Sequence, residues 1–417
     1  MTATLFVNAS QVVTCSGPPR ARRGVELLDA GILTAAAVAV EGGRIVAVAG
    51  AAELRRRFPG AEEVDCAHGV LTPGLVDSHT HAIFGKSRHE EQEMRAMGLD
   101  YMDIARRGGG IHASVRDLRD RSEDDLVALA LPRLRRLAQY GATTVEVKSG
   151  YGLTVDDELK SLRAIQRLSL LLPLRLVPTF LGAHEIPLEA RATPAGRADY
   201  LSLIVKEMIP RVVEGGLARF ADVFCEPGVL TIDESRAVLS AAREAGLRLK
   251  LHADELRPSG GAELAAALGA TSADHLAAIS DNGIRALAAS QTVATLLPGT
   301  MLFLGKDRQA PARALIDGGA AVALATDFNP GTSPTPNFPL ILTLAVSQLH
   351  LSVSEALLAA TVNGAAALDL AHETGQIAAG FSADLALFDI EDLRELPYWY
   401  GDRRCRATWV RGVPCAA

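Results

Sequence analysis

Residues 74–88 read "GLVDSHTHAIFGKSR", and how the chain continues after Asp77 decides what kind of fold it builds. An apolar run ends in Asp77, His79 and His81 follow one residue apart, and Arg88 comes shortly after. In an extended strand the side chains of residues i and i+2 point the same way. The two imidazoles therefore aim at one point, a geometry suited to gripping a metal ion. A pair of histidines on a solvated strand end would produce the same letters, so the pair needs support from the rest of the chain.

That support is a repeated pattern. Eight short apolar runs, each ending in polar residues, start at Val70: "VLTPGLVDSHTH", "GATTVEVKSGYG", "LRLVPTFLGAH", "RFADVFCEPG", "RLKLHADE", "TSADHL", "TVATLLPG" and "AVALATDFNPG". Between them lie helical patterns. In "EDDLVALALPRLRRLAQY" the leucines at 126, 129, 134 and 137 approximate helical spacing, and Pro132 is expected to kink that helix or shift its start. "TIDESRAVLSAAREAG" carries a start signal at Thr231 and Asp233 and a stop at Gly246. Eight strand–helix alternations predict a (β/α)8 TIM barrel. An open doubly wound sheet has the same periodicity. The barrel is favoured because the polar residues collect at the carboxyl ends of the runs, where barrels build their sites.

The chain ends read differently. "AVAVEGGRIVAVAG" is two apolar runs across a Gly-Gly turn, a hairpin signal, and the tail offers "GQIAAGFSADLALFDI" and "ATWVRGVPC" as short strands. Neither end is large enough to bury a good core alone. The expectation is one small β-sandwich domain from residues 1–69 and 371–417, beside a barrel spanning 70–370.

Composition narrows the function. Of 417 residues, 48% are hydrophobic and 22% charged, an ordinary globular balance rather than a disordered one. A formal charge of −7 argues against a nucleic-acid or anionic-membrane surface, and the arginine clusters at 20–23 and 55–57 read as solvated faces. The most apolar stretch, "LSLLLPLRLV", is broken by Pro173 and Arg175 and falls short of the roughly 18 residues a membrane span needs. Five cysteines form no Cys-x-x-Cys pair, and the amino terminus shows no basic segment followed by a long apolar core. Both point to a cytoplasmic protein.

Within the barrel pattern, His252 ends the fifth run, His275 the sixth and Asp327 the eighth. In a closed barrel those ends meet His79 and His81 at one mouth. Three or four histidines and a carboxylate suit zinc, iron(II) or manganese. Such an ion lowers the pKa of a bound water from 15.7 to about 7. A lone histidine is usually packed or solvated, but four at predicted strand ends make coincidence a poor explanation.

This pattern resembles the amidohydrolase superfamily. The blocks "GATTVEVKSGYGL", "TFLGAHEIP", "LHADE", "GGAELAAALGATSADHL" and "LATDFNPGTSP" look like its imidazolonepropionase family over nearly the whole chain. The resemblance implies hydrolysis of 4-imidazolone-5-propanoate to N-formimidoyl-L-glutamate in histidine degradation, one bound zinc or iron per chain, and a homodimer. By position it implies that His79, His81, His252 and Asp327 ligate the metal and that His275 polarises the substrate. Glu255 would handle the proton of the attacking water, with a helix-start carboxylate as its plainer reading. Arg88 offers a planar fork for the substrate's propionate. Tyr151, His184, Asn329, Gly331 and Thr332 match substrate-contacting positions, although Tyr151 and Asn329 also read as ordinary turn residues. The departing ring nitrogen would be served by Glu255 or Asp327. Met301, Phe381 and Asp402 depart from the family's usual residues, all outside the ligand set.

Two rival readings make different demands. A deaminase of aromatic bases would recognise a ring rather than a carboxylate, which makes Arg88 the discriminator. A metal-binding protein without catalysis would have no use for Glu255, His275 and Arg88 around its ligands. Cys225 and Glu226, at the end of the fourth run, are expected not to bind a second metal.

Overall fold

The computed structural model describes residues 3–99, 103–104 and 108–415. Eight parallel strands form one sheet in strict chain order: β1 (Leu75–Asp77), β2 (Ala142–Lys148), β3 (Arg175–Ala183), β4 (Phe220–Cys225), β5 (Arg248–Ala253), β6 (Ser272–His275), β7 (Val293–Leu296) and β8 (Ala321–Leu324). A doubly wound sheet reverses its strand order part-way; this one does not. The first and last strands meet just beyond their ladders. Thr80 bridges Phe328 in parallel fashion, the Asp327 amide donates to the His79 carbonyl at 3.1 Å, and the His81 amide donates to the Phe328 carbonyl at 2.9 Å. The barrel thus closes through the segments that carry the candidate ligands.

Why these segments form these elements is legible locally. The helix Glu123–Gln139 starts at a capping box between Ser122 and Asp125 and runs on through Pro132. The cap, and burial of Leu126, Leu134 and Leu137 against the sheet, outweigh the one backbone bond that proline removes. The helix Ile232–Glu244 begins at Thr231, whose hydroxyl accepts from the Glu234 amide, and ends two residues before Gly246. The main core lies between strands and helices, with Leu134, Leu162, Leu239, Leu251 and Leu315 fully buried.

The run expected as a single strand from Val70 divides at Gly74. Val70–Pro73 pairs antiparallel with Leu385–Phe388 and parallel with Gln11–Val12, so it lies among the end strands, and the barrel strand starts at Leu75. Gly74 sits tightly at this crossover: a Cβ there would come within 2.1 Å of the Thr143 hydroxyl. The chain ends form a four-stranded and a six-stranded sheet, the latter mixing strands from both termini. They share a core in which Phe6 meets Trp409 edge-on at 4.9 Å, and Phe381 packs against it.

Candidate active site

Inward-facing positions on the strands carry the polar residues. Glu146 and Lys148 on β2, Asp222 on β4, Lys250 and His252 on β5, and Asp274 on β6 are all nearly or fully buried. Strand alternation puts residues two apart on one face, and here that face is the barrel interior.

At the mouth, four donor atoms converge. His79 Nε2 and His81 Nε2 each lie 3.6 Å from Asp327 Oδ1, and His252 Nε2 lies 3.3 Å from His81 Nε2. β1 itself ends at Asp77, yet the chain stays extended past it, since the Lys148 amide donates to the Thr80 carbonyl. The expected alternation therefore still brings both imidazoles together. Burial pushes the His79, His81 and His275 imidazoles well below the ordinary 6.5, and His184 down to about 3. Burial thus favours the neutral form of these rings, the form in which imidazole binds a metal. His79 Nε2 is buried with no hydrogen-bond partner, a lone pair that only a cation or an added donor would satisfy. Three imidazoles and a carboxylate fit zinc, iron or manganese.

Asp327 adopts a positive φ of 52°, and His275 one of 79°. Non-glycine residues in that region cluster at functional sites. The Thr300 hydroxyl donates to Asp327 Oδ2 at 2.5 Å and fixes the second carboxylate oxygen. Its neighbour Met301, one of the family departures, is buried. Burial raises the Asp327 carboxyl to about 6, against the Thr300 bond that lowers it.

Glu255 follows β5 on a buried loop, and its Oε2 lies 3.7 Å from His275 Nδ1. Burial first, then the charges of Asp327 and Glu226, push its carboxyl well above the ordinary 4.5. The helix-start role falls to its neighbour: Asp254 accepts from the amides of Ser259, Gly260 and Ala262 at the start of the helix Gly261–Leu268. Glu226 accepts from the amides of Leu256 and Arg257, holding the loop that bears Glu255. Among the described residues, neither Cys225 nor Glu226 joins a group spaced to hold a metal.

The remaining candidates surround this centre. His184 stacks on His81 with ring centroids 5.0 Å apart, and its Nδ1 faces the Gly150 carbonyl at 2.9 Å, which turns Nε2 inward. It falls within ligand range of His81 and His252. Tyr151 is buried 5.3 Å from His184 and 5.9 Å from His81, ring to ring. Arg88 is held at two points by Glu91, Nε to Oε1 at 2.8 Å and Nη2 to Oε2 at 2.7 Å. Its Nη1 lies over Gly331, where a Cβ would come within 2.2 Å. Asn329 shapes the loop: its Oδ1 accepts from the Gly331 and Thr332 amides, and its Nδ2 donates to the Asp327 carbonyl and the Thr332 hydroxyl.

Sequence reasoning overlooked the groups behind the ligands: Asp77, Glu91, Glu146, Lys148, Asp222, Lys250, Asp274 and Thr300. One signal existed. Charges two apart in otherwise apolar strands, as in "VEVK" and "KLH", mark a polar barrel interior.

A sequence profile described as "Amidohydrolase family" matches residues 106–416, and one described as "Imidazolonepropionase-like composite domain, bacteria" matches residues 36–61. An imidazolonepropionase of Bacillus velezensis is 46% identical, over 98% of this chain and 96% of its own length. One from Symbiobacterium thermophilum is 47% identical, over 95% of this chain and 93% of its own. Among solved structures, E. coli guanine deaminase superposes with a TM-score of 0.76 at 16% identity, covering 99% of both chains. An adenosine deaminase from Xanthomonas campestris, with bound zinc, gives 0.74 at 20% identity, covering 99% of this chain and 92% of its own. At those identities the deaminases speak for the fold alone.

Proposed function

The chain belongs to the imidazolonepropionase family of amidohydrolases, and from that membership we infer a hydrolase that opens the ring of imidazolonepropionate in histidine degradation. Water adds to the cyclic amide carbonyl, the ring C–N bond breaks, and the nitrogen leaves with a proton, giving N-formimidoyl-L-glutamate. The observation that carries the assignment of residues is the convergence of His79, His81, His252 and Asp327 beside a Glu255–His275 pair.

Those four residues would hold one metal ion per chain, zinc or iron, which when bound supplies a Lewis acid that makes water nucleophilic near neutral pH. Glu255 takes the proton of the attacking water. Its raised pKa makes it a stronger base than an ordinary carboxylate, which suits it to taking up that proton. His275 donates toward the carbonyl oxygen as charge builds there. Glu255 or Asp327 returns a proton to the departing nitrogen. Arg88, fixed by Glu91, pairs with the propionate, and Tyr151 and His184 wall the ring on the side of His81. Asn329, Gly331 and Thr332 bound the propionate end, where Gly331 leaves room for the guanidinium.

We further propose a cytoplasmic homodimer. All five cysteines are free and buried, which suits a reducing compartment, and no helix among the described residues is long and apolar enough to cross a membrane. The dimer follows from the family likeness, and light scattering of the purified chain tests it. The function itself is tested by loss of imidazolonepropanoate absorbance with purified protein, with and without a chelator. Turnover abolished by chelation and restored by metal is expected; no turnover of the metal-replete protein refutes the reading.

A further inference from the structure

Two of the three imidazoles with converging Nε2 atoms are backed by a carboxylate. His79 Nδ1 lies 2.6 Å from Asp274 Oδ2, and His252 Nδ1 lies 3.0 Å from Asp222 Oδ2. His81 Nδ1 has no hydrogen-bond partner, and His252 Nδ1 stands at ion-pair distance from Asp222 without closing a well-formed hydrogen bond. A carboxylate beside Nδ1 favours the tautomer protonated there, which turns the Nε2 lone pair toward the mouth.

Behind both carboxylates sits one ammonium. Lys148 is fully buried, and its Nζ lies 2.7 Å from Asp222 Oδ2, 2.8 Å from Glu146 Oε1 and 3.9 Å from Asp274 Oδ2. Lys250 lies 3.6 Å from Asp274 and donates to the Ser78 carbonyl at 3.0 Å. Lys148 thereby pins the Asp222 oxygen that faces His252 Nδ1 and stands close to the Asp274 oxygen that faces His79 Nδ1. Without the ammonium both carboxylates could rotate away, and the imidazoles would lose what orients them.

We propose that Lys148 is a positioning residue, which acts through Asp222 and Asp274 to keep His252 and His79 presenting Nε2 to the metal. It touches neither metal nor substrate. The proposal rests on the reading of His79, His81, His252 and Asp327 as the ligands. It also separates the three imidazoles: His79 and His252 face the buried charge network, while His81 stacks on His184.

Cobalt(II) bound to the full chain is the probe. Its affinity is read by chelator competition and its ligand field by visible absorption, in Lys148→Met, Asp222→Asn, Asp274→Asn and the double variant Lys148→Met/Asp222→Asn. Each single change is expected to weaken cobalt binding roughly 10–100-fold and shift the absorption bands, with KM near wild type at saturating metal. Because Lys148 acts through Asp222 as well as Asp274, the double variant should bind cobalt worse than either single one but by less than the product of the two losses. A folded Lys148→Met chain with unaltered affinity and spectrum overturns the proposal, and so do additive losses. Should Lys148→Met fail to fold, the near-isosteric asparagine variants decide, and wild-type cobalt affinity in both overturns it. A His79→Ala chain that keeps cobalt at full affinity would instead refute the ligand assignment.

Discussion

Replacing Arg88 separates substrate recognition from metal chemistry. The guanidinium is gripped by Glu91 through Nε and Nη2, with only 10% and 6% of the two side chains exposed. It is therefore held in place before any substrate arrives, and little ordering cost remains on binding. Arg88→Ala removes a charge-assisted contact to the propionate worth roughly 1.5–3 kcal/mol. At about 1.4 kcal/mol per tenfold, KM should rise roughly 10–150-fold. Metal content should not change, because Arg88 is paired with Glu91 and is not itself one of the four converging donors. Glu91 keeps the Gly110 amide at 2.8 Å and Arg95 at 3.5 Å, so the deletion does not strand a buried carboxylate. A second variant reaches the same group from the far side. Gly331→Ala puts a methyl where Nη1 now lies, and the flexible guanidinium must shift, so KM should rise while the fold stays intact. Steady-state kinetics with elemental analysis of each variant reads both effects. An unchanged KM in Arg88→Ala, or loss of metal with it, refutes the carboxylate role.

Other expectations follow from the same geometry. Glu255→Gln keeps shape but cannot accept a proton, so turnover should fall at least about a hundredfold with metal content and KM near normal; a fully active, metal-replete variant removes Glu255 from the mechanism. Asp327→Ala should lose metal as well as turnover, read by elemental analysis. One metal per chain is expected, since Glu226 is occupied with the Leu256 and Arg257 amides; two tightly held ions would overturn that. The Arg197 pair holds the Glu234 carboxyl down at about 2 from the ordinary 4.5. A depressed folded pKa means this stabilisation is complete above about pH 4.5 and disappears as pH falls through 2. Acid unfolding of Glu234→Gln should therefore be less steep than wild type across that window; equal slopes would count against the pairing.

The barrel and its mouth were legible because periodicity and strand-end chemistry are local signals. His79, His81, His252, His275 and Asp327 each close a short apolar run, and parallel strands in sequence order bring such ends together whatever the intervening helices do. The division at Gly74 was not legible. "VLTPGLVD" reads as one apolar run, and only pairing with Leu385–Phe388, over three hundred residues away, assigns its first half to another sheet. Pro132 lies inside the helix and does not set its start, which the cap at Ser122 fixes. The interior charges were missed for a different reason. Asp222 in "FADVF" and Asp274 in "SADHL" look like stray acids until alternation is applied strand by strand. Asn329 was read both as a substrate contact and as a turn residue, and its side chain is taken up by the loop around Asp327 as the turn reading implies.

Asp77 links the closure of the barrel to the proposed metal site. Its side chain is fully buried and accepts from the Thr326 amide at 3.0 Å and the Thr326 hydroxyl at 2.6 Å. That ties the end of β1 to the end of β8. One residue further along, the Asp327 amide donates to the His79 carbonyl. With the His81 amide on the Phe328 carbonyl, four bonds form the seam that sets two proposed ligands from one end of the strand order and one from the other, in place of a long ladder. Asp77→Ala leaves the Thr326 amide buried and unpaired, at a cost of about 1–3 kcal/mol, and lets the two ends part. Metal bound at 100 times its Kd adds about 2.7 kcal/mol to wild-type stability, so chelation should lower the melting temperature. In Asp77→Ala the starting melting temperature should be lower, metal affinity weaker, and the drop on chelation smaller, although no ligand has been changed. Calorimetry of both proteins with and without chelator reads all three. If Asp77→Ala binds metal as tightly as wild type while melting lower, the seam holds the barrel but not the ligands, and the coupling argued from His79 to Asp327 is wrong.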